Sequence, residues 1–171
     1  LGFGLKSSEP PLTANLDLSA RVTLDLTQQI YQLSAAVLKV AAQGAAIPGG
    51  QSDLVMNFDV VADLGRETLA VEGLKLAALG LDAKGKIMGE SIITKPHFNI
   101  DLALMATDLK GVLNKLVTQP IETQDPKALT KFATNLSVDA GLNSAKITKL
   151  TVVLDDSTLK GSASVINFSQ P

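Results

Sequence analysis

Cysteine and tryptophan are absent from this 171-residue chain, tyrosine and histidine occur once each, and aromatic residues make up only 4%. Without cysteine there is no disulfide framework, no thiolate zinc site and no cysteine nucleophile. Charge of either sign is also scarce in excess: 15 Lys and Arg stand against 17 Asp and Glu, for a net charge of -2. That balance excludes the basic footprint of a nucleic-acid binder, so no nucleic-acid partner is expected. Long apolar runs are missing too. The best one, 33–47, is interrupted by Lys39 and Gln43 and falls short of the ~18–20 apolar residues that a spanning helix needs. No basic segment followed by an apolar one opens the chain, so no signal peptide is expected. The chain begins with Leu rather than Met, and we expect any anchor or targeting segment to lie outside it.

What is present is aliphatic. Apolar residues make up 46% of the chain, mean hydropathy is +0.25, and the mass is Leu, Ala, Val and Ile. Its arrangement is periodic. Over 15–26, Leu16, Leu18, Ala20, Val22, Leu24 and Leu26 alternate with Asn15, Asp17, Ser19, Arg21, Thr23 and Asp25. A period of two marks a half-buried strand. The same alternation runs through 53–64 (Leu54, Met56, Phe58, Val60, Ala62, Leu64), 97–104 (Phe98, Ile100, Leu102, Leu104) and 135–142 (Leu136, Val138, Ala140, Leu142). Strand-like stretches at 30–40, 69–76, 79–87, 145–154 and 158–168 fill the intervals, divided by polar turns such as Gly65, Arg66, Glu67 and Asn143, Ser144. Links this short imply antiparallel meanders.

Helical spacing appears in one zone, 107–133. Thr107 and Asp108 offer capping chemistry ahead of Leu109, Val112, Leu113, Leu116 and Val117, and Pro120 closes the segment. Asp125 followed by Pro126 predicts the start of a second short helix, running to about Ala133 with Leu129 and Phe132 inward. Residues 1–13, with Pro10 and Pro11, read as an irregular lead-in to a single β-rich domain over 14–171.

The chain also repeats itself. At an offset of 76 residues, Asp63 matches Asp139, Val71 matches Ile147, Leu74 matches Leu150, Leu76 matches Val152 and Gly85 matches Gly161, without a gap. A shorter earlier copy runs from Asp25 through Leu38 and Val40 to Gly44. Units at about 16–50, 53–89 and 134–168 therefore predict stacked strand-turn-strand repeats. Asp63 and Asp139 are expected to cap turns by accepting from nearby amides. The expected fold is mainly β with some helix: a curved antiparallel sheet of about eight to ten strands, with two short helices packed on one face or end.

A size argument narrows what that sheet can be. Eight strands spaced about 4.8 Å apart are about 38 Å wide, whereas each short helix is about 15 Å long and 10 Å across. Two such helices cannot cover the apolar face, and a monomer rarely exposes more than a few hundred Å² of contiguous apolar patch. The sheet either closes into a sandwich or barrel, or curves into an apolar trough.

Catalytic constellations are missing. Gly80 to Lys86 matches the spacing of a phosphate loop, but Ile87 stands where a magnesium-ligating Ser or Thr belongs and the segment alternates like a strand. Asp155 and Asp156 are adjacent, and neighbours in a strand point to opposite faces, so they read as a turn rather than a carboxylate pair. His97 has no nucleophile or orienting group placed by the sequence. We expect no catalytic residue, no metal site and no cofactor.

The last stretch, LTVVLDDSTLKGSASVINFSQP at 150–171, resembles a phrase of the AsmA family of bacterial envelope proteins. LKVAAQG at 38–44, LAVEGLKLAALG at 69–80, DLKGVLNKL at 108–116 and DPKAL at 125–129 are similar to other segments of that family's middle region. The resemblance implies part of a periplasmic, β-rich body attached to the inner membrane by an N-terminal anchor not contained in this sequence. It implies a role in outer-membrane biogenesis and a groove lined by aliphatic side chains that carries phospholipid, with no enzymatic activity. On that reading the acyl-chain contacts are Leu18, Val22, Leu24, Leu54, Met56, Phe58, Val60, Leu74, Leu76, Leu81, Ile100, Leu102, Leu104, Leu136, Val138, Leu150 and Val152. The alternative is an assembly module with a closed hydrophobic core that binds envelope proteins through an edge strand.

Overall fold

The structure, a computed structural model, describes residues 2–8, 11–45, 47–117 and 119–166. Ten strands follow one another in a single antiparallel sheet whose spatial order is the order of the chain. They are β1 (Gly2–Ser8), β2 (Pro11–Asp25), β3 (Ile30–Gly44), β4 (Gln51–Asp63), β5 (Thr68–Ala78), β6 (Leu81–Glu90), β7 (His97–Ala106), β8 (Phe132–Gly141), β9 (Ser144–Leu154) and β10 (Ser157–Ile166). β1 pairs only with β2 and β10 only with β9, so the sheet is open rather than a barrel. No helix is long and apolar enough to cross a membrane, among the described residues.

The alternating segments all become strands. The lead-in does not stay irregular: Gly2–Ser8 forms β1, and β2 begins at Pro11. Pro11 is the first residue of its strand, where the missing N–H does no harm. The end of the last repeat and of the closing phrase, residues 167–171, lies outside the described residues.

One helix forms where two are expected. α1 (Leu109–Leu116) is capped by Asp108, whose Oδ1 accepts from the Gly111 amide at 2.8 Å. The predicted helix at 125–133 makes a turn instead. Asp125 Oδ1 accepts from Lys127 N–H at 2.8 Å, and Ala128 N–H donates to the Asp125 carbonyl. Leu129 then enters the left-handed region, φ 61°, and the helix cannot continue. Asp155 is the competitor. Its carboxylate accepts from the backbone amides of Leu129, Thr130 and Lys131 at 2.7, 2.9 and 3.0 Å, pinning the segment in the conformation that leads into β8.

The repeat survives in three dimensions. Adding 76 to the bounds of β5 and β6 gives the bounds of β9 and β10. Leu74 pairs with Gly85 as Leu150 pairs with Gly161, and Leu76 with Ala83 as Val152 with Leu159. The preceding strands differ. Between Asp63 and Thr68 the chain makes a four-residue turn, while between the equivalent Asp139 and Ser144 the strands run on and only Leu142 and Asn143 turn. Asp63 caps its turn as expected, accepting from Arg66 N–H at 2.8 Å. Asp139 does not; it sits within β8, and its Oδ2 lies 3.3 Å from His97 Nε2.

Candidate functional site: an aliphatic trough

Cross-strand partners in an antiparallel sheet project from the same face, so the register builds the face row by row. One row runs Leu18, Leu38, Met56, Leu76, Ala83, Leu104, Thr134, Val152, Leu159. Another runs Val22, Leu33, Val60, Val71, Ile87, Ile100, Val138, Ile147, Ala163. Between them Leu74, Gly85, Leu102, Leu136, Leu150 and Gly161 line up, with Phe58 facing the bulge at Gly73. Leu24 belongs to the row of Tyr31, Ala62, Leu69, Gly89 and Phe98. Leu54 pairs with Ala78, which pairs with Leu81.

The register therefore brings every expected contact residue to one face, which strand alternation alone could not establish across ten strands. It also adds residues that were not among the expected contacts. Leu33, Leu38, Val71, Ile87, Phe98 and Ile147 share the face. Ile87 and Phe98 continue the alternation of their strands, whereas Leu33 and Leu38, Val71 and Leu74, and Ile147 and Leu150 differ in parity and are brought to one face by the bulges between them. Register slips by one residue between Leu33 and Ala36 and between Val71 and Leu74, and a slip of one exchanges the two faces.

The opposite face carries the charged pairs, with the exposed Val55, Val61, Met88 and Met105 among them. Asp17 pairs with Lys39, Asn57 with Lys75 and Lys86 with Asp101. Lys86 Nζ lies 3.5 Å from Asp101 Oδ2, and Ser137 Oγ donates to Asp101 Oδ1 at 2.6 Å, which holds that carboxyl below its ordinary value. Along β4 the two faces differ throughout: Leu54, Met56, Phe58 and Val60 are half-buried, whereas Asp53, Val55, Asn57, Asp59 and Val61 are exposed. Such asymmetry is expected of a sheet curved toward its aliphatic side, and β-bulges in β3, β5 and β9 supply local bending.

The aliphatic face is sheltered but not filled. No large side chain is fully buried among the described residues, and the buried apolar positions are Ala14, Ala36, Ala106 and Val112. At the ends of the rows Val22, Leu24 and Leu159 are 59%, 57% and 64% exposed. The surface area is 11586 Å², against about 8,000 Å² for a compact monomer of this mass. Hence the closed-core architecture is not the one adopted.

α1 packs against the β5–β6 turn, at the strand ends of the middle of the sheet. Val112 is buried, and its Cγ2 would meet a Cβ at Gly80 at 3.2 Å, so Gly80 in the β5–β6 turn (φ 92°) leaves room for the helix. Lys115 Nζ donates to the Leu79 carbonyl at 3.4 Å.

Other candidates hold no chemistry together. Gly80 to Lys86 spans a hairpin turn and β6, with no helix after it. His97 begins β7, and its Nε2 reaches Asp139. No group of three or more His, Asp or Glu able to hold a metal occurs among the described residues. A depression of about 250 Å³ lies between Val55, Lys75, Ala77, Lys84 and Met105 of the outer face and reaches Leu76 and Ala83 of the first row. No family model, no curated protein and no solved structure matches the chain.

Proposed function

We propose that this chain is a section of a lipid conduit, in which the aliphatic trough holds the acyl chains of phospholipid and the polar outer face meets water. One observation carries the reading: an aliphatic face spanning nine strands, about 43 Å at normal strand spacing, is left half-exposed with no second layer among the described residues to cover it. Burying apolar area yields about 25 cal/mol per Å², so a face of this size attracts whatever apolar matter fits it. Leu, Val, Ile and Ala are adequate partners for flexible acyl chains, which need no directional recognition. Rows that run across the strands give a chain continuous apolar contact, with few polar groups along it.

The resemblance to the AsmA family supports the same reading and would place the chain in the periplasm, tethered to the inner membrane and engaged in outer-membrane biogenesis. On this reading the protein moves lipid passively and carries out no catalysis. Native mass spectrometry after mild purification tests the proposal: phospholipid is expected to travel with the protein, and a fluorescent phospholipid is expected to bind the stripped chain. Leu102→Asp places a charge in the middle of the trough and should abolish photo-crosslinking to lipid while the strand content measured by circular dichroism persists. Absence of co-purified lipid together with no binding of the fluorescent analogue would overturn the reading.

A further inference from the structure

We infer that the free edge of β10 is a docking site for an extended polypeptide strand patterned like β7, added antiparallel with a large aliphatic side chain opposite Gly161. The internal repeat supplies the argument. β5 and β6 recur as β9 and β10 with the same bounds and the same register, offset by 76. In the first copy the far edge of β6 is covered by β7. In the second no strand covers the far edge of β10 among the described residues, and every residue of β10 is exposed.

The glycines at the equivalent positions show what is missing. A Cβ at Gly85 would collide with the Asp101 carbonyl oxygen and lie 2.7 Å from Leu102 Cδ2. Gly85 is thus required because the strand next to it leans a leucine over it. A Cβ at Gly161 meets nothing within 4 Å. The same slot is present and empty. Beside it Leu159 and Val165, 64% and 56% exposed, end two of the trough's rows. Among the described residues only Lys160, on the outer face, guards the edge; β10 contains no proline, and an unguarded edge of this length is a template for pairing.

Where β10 departs from β6, the occupant departs from β7. Gly89 lies beneath the Phe98 ring, 2.9 Å from Cε1 to the place of its Cβ, but its counterpart is Val165. The docked strand therefore carries a residue smaller than phenylalanine there. This inference does not depend on what fills the trough.

A fluorescein-labelled peptide with the sequence of His97–Ala106 and alanine in place of Phe98 is the probe, followed by anisotropy with the whole chain. The peptide is expected to bind saturably. N-methylating the alternate amides that face β10 should abolish binding, while methylating the other alternate set should leave it intact. Gly161→Val should weaken binding about tenfold or more by filling the slot, with an unchanged circular dichroism spectrum because its side chain meets nothing in the protein. Equal binding by both methylated peptides, as for a peptide lying in the trough, or undiminished binding by the Gly161→Val chain, would overturn the inference.

Discussion

The carboxylate of Asp59 on β4 accepts a hydrogen bond from the backbone N–H of Ala35 on β3, Oδ1 to N 2.7 Å, and thereby satisfies the amide that a β-bulge leaves without a strand partner. Ala35 is in the left-handed region at φ 50°, a conformation that costs an ordinary residue ~1–2 kcal/mol. Gly73, at φ 61° in β5, lies on the other side of the same carboxylate, whose Oδ2 would be 3.4 Å from a Cβ there. Asp59 thus stands between two bulges that bend the middle of the sheet.

Removing that acceptor should cost stability, and the acceptor oxygen rather than the charge should matter. Asp59→Ala is expected to lower stability by about 1 kcal/mol, read as a reduced urea midpoint at unchanged slope. Asp59→Asn keeps an oxygen for the Ala35 amide and should recover most of the loss. If the asparagine variant is as unstable as the alanine one, the hydrogen bond is not the reason.

Acid should destabilise the protein over a defined range. Asp155 is held below its ordinary pKa first by the Lys131 amide and then by that of Leu129, Glu67 by the Thr94 hydroxyl, and Asp101 by the Ser137 hydroxyl. A carboxyl whose folded pKa lies below its unfolded one stabilises the fold in full above the unfolded value. That contribution disappears as pH falls through the folded value. These three groups should therefore leave stability level above about pH 5 and reduce it progressively below about pH 4. Asp155→Asn should flatten that decline in urea titrations between those limits and pH 2; an unchanged slope would remove Asp155 from the explanation.

The strands and their polarity were legible because each strand states its period locally: β4 alternates from Asp53 onward, and the structure assigns Leu54, Met56, Phe58 and Val60 to one side. The trough was legible only in part. Which residues meet across strands depends on where register slips, and nothing in the sequence near Ala35 or between Ser137 and Val138 announces a slip. The failed helix at 125–133 has a similar cause. Asp125 and Pro126 form a sound helix start, but the carboxylate that diverts Leu129, Thr130 and Lys131 lies 24 to 26 residues away. The open edge of β10 was invisible as well, since alternation describes a strand's faces and is silent about its edges.

Leucines of the trough should be less costly to truncate than leucines of an ordinary core. Leu102 and Leu136 pair across β7 and β8 and are only half-buried. Leu→Ala in a closed core costs ~2–5 kcal/mol, much of it from the cavity left behind. An open face leaves no cavity, so each single alanine variant should cost about 1–2 kcal/mol. Saturation with a phospholipid should widen the gap between wild type and variant in thermal melts, because the bound chain then closes the face. A loss above about 4 kcal/mol at either position without lipid would indicate a closed core.

The paired glycines separate folding from docking by a stability measurement alone. At Gly85 the neighbouring strand occupies the space a side chain would take, with Leu102 Cδ2 at 2.7 Å and the Asp101 carbonyl nearer still. Gly85→Val should therefore push β7 away from β6 and destabilise the chain by ~2 kcal/mol or more. Gly161 has the same partner on its inner side, Leu150 in place of Leu74, but open space around its Cβ position. There the valine gains β propensity and gives up the conformational freedom that glycine has in the unfolded chain. Gly161→Val should leave stability unchanged or raise it by up to about 1 kcal/mol. Two residues related by the repeat would thus answer the same substitution with opposite signs, and the difference is the presence of a strand beside one and its absence beside the other. Equal destabilisation at both sites would mean that the space at Gly161 is already filled in solution, and chemical crosslinking followed by size-exclusion chromatography would then show whether a second copy fills it.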